Sequence, residues 1–238
     1  WGRGASGRLG YGSTADVGDD EAVTALGSVY LGAGRTATSI SAGDSSTCAI
    51  RDDGNVLCWG ANDVGQLGRG DVQSIGDNEL PGNYPPVALA PGRTARAVSV
   101  GYAHACAILD DGSVRCWGYG GAGALGYGNI TNIGDDEPPS AAGPVYLGNG
   151  RTATAITTGT NTTCAILDDG SVRCWGRGGS GALGYGNTQN IGDGELPGSV
   201  GTVFLGAGRT AKAIAAGSEH VCAILDTGDV RCWGIGVA

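Results

Sequence analysis

Cys106-Ala107-Ile108-Leu109-Asp110-Asp111-Gly112-Ser113-Val114-Arg115-Cys116-Trp117-Gly118 is the stretch on which the fold turns. Asp110-Asp111-Gly112 is a turn signal between two β-prone runs. A three-residue hairpin loop with Gly112 in the left-handed region sets Leu109 opposite Ser113, Ile108 opposite Val114, Ala107 opposite Arg115 and Cys106 opposite Cys116. In an antiparallel pair without mutual hydrogen bonds the Cα atoms stand about 4.5 Å apart, within reach of a disulfide. Free buried thiols are the alternative. Zinc is a poor competitor, because its sites want two close cysteine pairs or added histidines, and the chain has only 2 His.

The unit recurs four times at a period of 58 residues, with Cys48–Cys58, Cys164–Cys174 and Cys222–Cys232 as the equivalent pairs and Trp1, Trp59, Trp117, Trp175 and Trp233 each opening a Trp-Gly dipeptide. Such self-similarity signals a repeat architecture, whose product is usually a surface. Upstream of each hairpin lies a β-prone run, at 37–41, 95–99, 153–157 and 211–215. Before that comes a short apolar piece: Val29-Tyr30-Leu31, Val87-Ala88-Leu89, Val145-Tyr146-Leu147 and Val203-Phe204-Leu205. These pieces predict four short antiparallel strands per repeat, the blade of an all-β propeller. Cut at each tryptophan, the single repeat domain divides into units 1–58, 59–116, 117–174 and 175–232, with a fifth beginning at 233–238.

Composition agrees. The 48 glycines among 238 residues are well above the roughly 7% average without any Gly-X-Y triplet, and helix is disfavoured throughout. A net charge of −9 with no basic run argues against a phosphate-binding surface, so no nucleic-acid partner is expected. No apolar run is long enough to span a membrane. Paired cysteines imply an oxidising compartment and hence export, to the cell surface, the periplasm or the medium. The opening on Trp1 in mid-motif reads as a cut from a longer precursor.

The recurring G-x4-C-A-I-L-D-D-G-S-V-R-C-W-G, followed by G-x-L-G as in Gly123-Ala124-Leu125-Gly126, resembles the repeat of the regulator of chromosome condensation family. The closest unbroken match runs Trp59-Gly60-Ala61-Asn62-Asp63-Val64-Gly65-Gln66-Leu67-Gly68. The paired cysteines depart from the general consensus and look like a variant of secreted bacterial members. The resemblance implies a propeller, typically of seven blades, so four repeats fit part of a wider ring or a multi-chain one. The G-W-R-H-T motifs of the family's plant ultraviolet-B photoreceptors do not occur here. Nucleotide exchange on a small GTPase, another of the family's activities, fits poorly with an exported chain lacking a basic tail.

His104 and His220 fall at the family's His position, where the other repeats carry Ser46 and Thr162. A polar side chain there is expected to bond a neighbouring backbone between blades rather than to catalyse. Each repeat also holds an acidic loop beginning at Asp19, Asp77, Asp135 or Asp193. These are weak calcium candidates, because the full pattern of alternating ligands is missing. The plainer reading pairs each loop's Glu with a repeated arginine: Arg35, Arg93, Arg151 or Arg209.

The repeats disagree chiefly in two loops, one after Trp-Gly and one before each Cys-Ala-Ile. Loops vary because they face solvent, yet propellers bind through such rims, and Tyr and Arg are the usual anchors. Secreted members of the family include β-lactamase inhibitors, which bind by one such face. Tyr119, Tyr102, Arg177 and Arg3 are therefore the candidate partner contacts. The reading is an exported, non-enzymatic protein-binding scaffold without a cofactor. Self-assembly into a ring, filament or surface layer is the alternative, and enzymatic function ranks last.

Overall fold

The computed structural model describes residues 1–236. Four antiparallel sheets succeed one another along the chain, and each is built in sequence order. The first holds β1 (Ala37–Ala42), β2 (Ser46–Arg51) and β3 (Val56–Gly60), and the second β4 (Ala95–Val100), β5 (His104–Leu109) and β6 (Val114–Gly118). The third holds β7 (Ala153–Thr158), β8 (Thr162–Leu167) and β9 (Val172–Gly176), and the fourth β10 (Ala211–Ala216), β11 (His220–Leu225) and β12 (Val230–Gly234). These are four blades of a β-propeller.

The hairpin register is the one the turn signal predicts. Ile108 lies opposite Val114, Ala107 opposite Arg115 and Cys106 opposite Cys116, and Leu109 N–H donates to Ser113 O. Gly112 takes a φ of +80° at the tip, where an L side chain would be strained. Disulfides join Cys48–Cys58, Cys106–Cys116, Cys164–Cys174 and Cys222–Cys232 across the middle and outer strands, with Cα separations of 4.0–4.1 Å.

Each blade has three regular strands among the described residues, where the sequence predicts four. The expected strand is reduced to two stubs on the outer edge of the blade. Ile75 exchanges both backbone hydrogen bonds with Gly60, and Val87 N–H donates to Val56 O at 2.8 Å. Val145 and Val203 make the equivalent single bond to Val114 and Val172. Each apolar piece thus pairs with the blade that precedes it. Pro85, Pro86 and Pro144 beside these valines have no N–H to give a ladder. The chain must also leave the outer edge and reach the next inner strand within a few residues, so it stays in register for only one.

Blades stack face to face. Alternate residues of the middle strand point forward to the next blade and rearward to the one before, so β5 and β8 are buried along their whole length. The forward face of the second blade (Cys106, Ile108, Val114, Cys116) shares one core with Ala165, Leu167 and Trp175 on the rear face of the third. Hydroxyl groups thread the inner strands together: Ser41 Oγ accepts from Val100 N–H, Ser99 Oγ from Thr158 N–H and Thr157 Oγ1 from Ala216 N–H. The tryptophans pin the connections. Trp59 Nε1 donates to Arg8 O and Trp117 Nε1 to Gln66 O, both at 3.0 Å.

Candidate functional site

Both variable loops emerge on one rim because the backbone ties them together. Tyr119 N–H donates to Ala103 O, Ala61 N–H to Ser45 O and Arg177 N–H to Asn161 O, each at 2.9 Å. The loop before each Cys-Ala-Ile is also tied to the following blade: Tyr102 N–H donates to Gly159 O and Thr160 N–H to Ser218 O. The rim is therefore a continuous hydrogen-bonded band, and side chains at its variable positions stand on fixed backbone.

Tyr102 and Tyr119 are exposed on this band. Gly121 explains how Tyr119 is held, because a Cβ there would fall 2.2 Å from the phenol ring. The turn that follows is pinned from behind, with Gly120 N–H donating to Asn132 Oδ1 at 3.0 Å and Gly178 N–H to Asn190 Oδ1 at 3.1 Å. The equivalent bond beside Arg3 runs from Gly4 N–H to Asp16 Oδ1 at 2.8 Å, which places Arg3 at the matching point ahead of the first blade.

Arg177 lines a recess with Thr160, Asn161, Ser180, Ser218 and Glu219. A second depression, at the inner ends of the blades, is lined by Asp44, Tyr102, Thr160 and Ser218 among others. Thr160 and Ser218 border both, so Tyr102 and Arg177 overlook one connected, polar surface. Glu219 lies 3.6 Å from the Arg177 guanidinium, and both side chains are largely exposed. Such a surface pair is worth about 0–1 kcal/mol, so Arg177 is easily released to a partner. Glu219 and Ser180 were legible only as loop composition; their meeting with Arg177 depends on the stacking of neighbouring blades.

The histidines divide. His104 is fully buried and its Nε2 lies 2.9 Å from Thr163 Oγ1 of the next blade. The inter-blade role agrees with the sequence reading, but the partner is a side-chain hydroxyl, not a backbone group. Burial lowers the His104 pKa to about 4. His220 is exposed on the forward face of the last blade.

The acidic loops also correct an expectation. Arg35, Arg93, Arg151 and Arg209 pair not with the loop glutamates but with the hairpin aspartates, at 3.4 Å to Asp52, 3.5 Å to Asp110, 3.1 Å to Asp168 and 3.2 Å to Asp226. Each arginine precedes the inner strand, which runs back alongside the hairpin tip, so those carboxylates are nearer. Glu21 instead accepts from Gly18 N–H, and Glu79 from Asn78 N–H. Three carboxylates gather within 4.8 Å at Asp19-Asp20-Glu21 and at Asp135-Asp136-Glu137. Asn78 and Gly194 take the middle place beside Asp77 and Asp193, so those loops hold two acids rather than three. Glu137 is pushed up to about 7, first by desolvation and then by Asp136 and Asp135.

No helix is long and apolar enough to cross a membrane among the described residues. Residues 37–66, 95–124, 153–182 and 211–237 match one model of the regulator of chromosome condensation (RCC1) repeat, and 53–108 match a second, together more than half of the chain. The ultraviolet-B receptor UVR8 of Arabidopsis thaliana is 32% identical over 83% of this chain and 41% of its own length. The structure of human WBSCR16 aligns with a TM-score of 0.66 at 20% identity, over 85% of this chain and 48% of that one. Prp20p of Saccharomyces cerevisiae, described with its binding to Gsp1p and histones, aligns with a TM-score of 0.64 at 23% identity, over 83% and 44%. The chain thus spans under half the length of these relatives, and it belongs to the regulator of chromosome condensation repeat family.

Proposed function

We propose that this chain is an exported, non-enzymatic scaffold that binds a protein partner through the rim carrying Tyr102, Tyr119, Arg177 and, ahead of the first blade, Arg3. One observation carries the reading: aromatic and cationic side chains are exposed on a backbone band locked by inter-blade hydrogen bonds. Rigid presentation of Tyr and Arg lowers the ordering cost of association, and these residue types dominate binding energy at interfaces. The four disulfides support an oxidising compartment. Prp20p, with its binding to Gsp1p and histones, sets a precedent for protein recognition on this fold. The acidic loops take no resident ion in this reading.

The test is affinity capture from an extracellular or periplasmic fraction on immobilised chain, with bound proteins identified by mass spectrometry. A Tyr102→Ala, Tyr119→Ala, Arg177→Ala triple variant should lose the captured protein while keeping its melting curve. Retention of the same partner by that variant would overturn the rim assignment.

A further inference from the structure

We infer that the forward face of the fourth blade is a docking surface for the rear face of the first blade of a second copy of this chain. The proposal is independent of the rim. Positions sealed at every interior junction are open at these two ends. Ile108 and Ile166 are 1% and 3% exposed, whereas the equivalent Ile224 is 44% exposed and Val230 beside it 62%. At the other end Ile40 is 65% exposed, against 9% for the equivalent Val98.

The polar residues say which blade fits. Each junction sets the first residue of one middle strand against the second residue of the next. Ser46 faces the position of Ala105, His104 that of Thr163, and Thr162 that of Val221, so histidine stands where the following blade offers threonine. His220 is the other histidine, and the blade that offers a threonine at the matching position is the first, through Thr47. Thr47 is already poised like Thr163. Its hydroxyl donates to Arg8 O at 3.0 Å, as that of Thr163 donates to Ala124 O at 3.0 Å. Thr163 in addition accepts from His104, whereas Thr47 accepts from no side chain among the described residues.

The backbone supports the same register. Gly60, Gly118 and Gly176 each bridge to Ile75, Ile133 and Ile191, and Gly2 bridges to Val17. Docking on the 58-residue period brings Gly234 of one copy to the place of Gly2 in the other, beside that copy's Val17. The displaced Trp1 is already 82% exposed. The junction lacks one interior feature: Ala215 has no hydroxyl to match Ser41, Ser99 and Thr157. Contact between copies is therefore weaker than between covalently joined blades, and it depends on concentration. It is heterologous, so it closes into a ring or grows into a filament.

Light scattering after size exclusion, over a wide concentration range, reads this directly. The 23.5 kDa chain should gain mass with concentration. An Ile224→Glu, Val230→Glu variant and an Ile40→Glu variant should each stay monomeric, because all three positions face solvent in the single chain. An equimolar mixture of the two should give a dimer, having one intact pair of faces. His220→Ala should weaken association by about tenfold, and His220→Ala should cost nothing further in a Thr47→Val background. A monomer at every concentration, or association that the end-face variants leave intact, would overturn the proposal. The rim triple variant should associate like the parent, which separates failure here from failure of the rim assignment.

Discussion

His104 Nε2 and Thr163 Oγ1 stand 2.9 Å apart in the junction between the second and third blades. The Thr163 hydroxyl spends its only proton on Ala124 O, so it must accept from His104. The imidazole is therefore neutral, with its proton on Nε2. Its Nδ1 is buried with no donor facing it, and a second proton there would have no partner.

This geometry fixes a pH dependence. Burial lowers the folded-state pKa from 6.5 to about 4, so as pH falls the unfolded chain takes up the proton first. The contribution is intact above 6.5, declines through the window from 6.5 to 4 and totals about 3 kcal/mol. Urea unfolding at pH 7, 5.5 and 4 measures it. A His104→Gln variant should be less stable at pH 7 but lack this part of the decline; a parallel decline in both proteins would place the acid sensitivity elsewhere.

The disulfides should yield to reductant in a set order. Cys106, Cys116, Cys164 and Cys174 are fully buried, whereas Cys232 is exposed and Cys222 half-buried. Under native conditions a phosphine reductant should open Cys222–Cys232 first and the two central bonds last, as read by timed alkylation and peptide mapping. Each bond closes a short loop worth about 2–3 kcal/mol in the chain-entropy account, so a Cys106→Ser, Cys116→Ser variant should lose about that much stability. Uniform reduction of all four would mean that local opening, not burial, controls access.

Much of this was legible in the sequence, for a local reason. A hairpin with a three-residue loop has one register, and that register brings Cys106 to Cys116 without any knowledge of the rest of the fold. The arginine partners were not legible, because Arg93 reaches Asp110 only after the inner strand has folded back along the hairpin. The missing fourth strand is a similar failure. Val87 has strand character, but its hydrogen-bond partner Val56 lies in the preceding repeat, and the prolines before it leave no ladder to build. The rim candidates were picked as variable Tyr and Arg; that Tyr102 and Arg177 share Thr160 and Ser218 as neighbours follows from blade stacking alone.

Glu137 gives a second pH signature of opposite sign. Its folded-state pKa is pushed up to about 7 from 4.5, so the folded chain holds a proton that the unfolded chain has released. The penalty for ionising it grows as pH rises through that window and is complete above pH 7. Glu137→Gln should therefore raise the melting temperature at pH 8, with the gap to the parent closing as pH falls toward 5. Millimolar calcium should leave the parent's melting temperature unchanged at pH 8. A marked rise abolished by Glu137→Gln would instead assign an ion to Asp135, Asp136 and Glu137.

Gly123 and Gly181 offer a controlled measurement of what a blade junction contributes. They are equivalent residues of successive repeats, with φ of +77° and +73°, so alanine suffers the same backbone strain at either place. Their surroundings differ. A Cβ on Gly123 would fall 2.3 Å from the Gly192 carbonyl carbon of the next connection, whereas one on Gly181 meets nothing within 4 Å. The difference between the two alanine variants cancels strain and isolates the clash at the junction. We expect Gly123→Ala to be the more destabilising by about 1–3 kcal/mol, the usual cost of overpacking, when both are unfolded in urea at a concentration where the chain is monomeric. Equal losses would show that the next connection moves aside freely and that the blades are less tightly keyed than their hydrogen bonds suggest. At concentrations where copies associate, Gly181→Ala should acquire part of the same penalty, because the second copy's Gly18 and Asp19 then take the place that Gly192 and Asp193 hold beside Gly123.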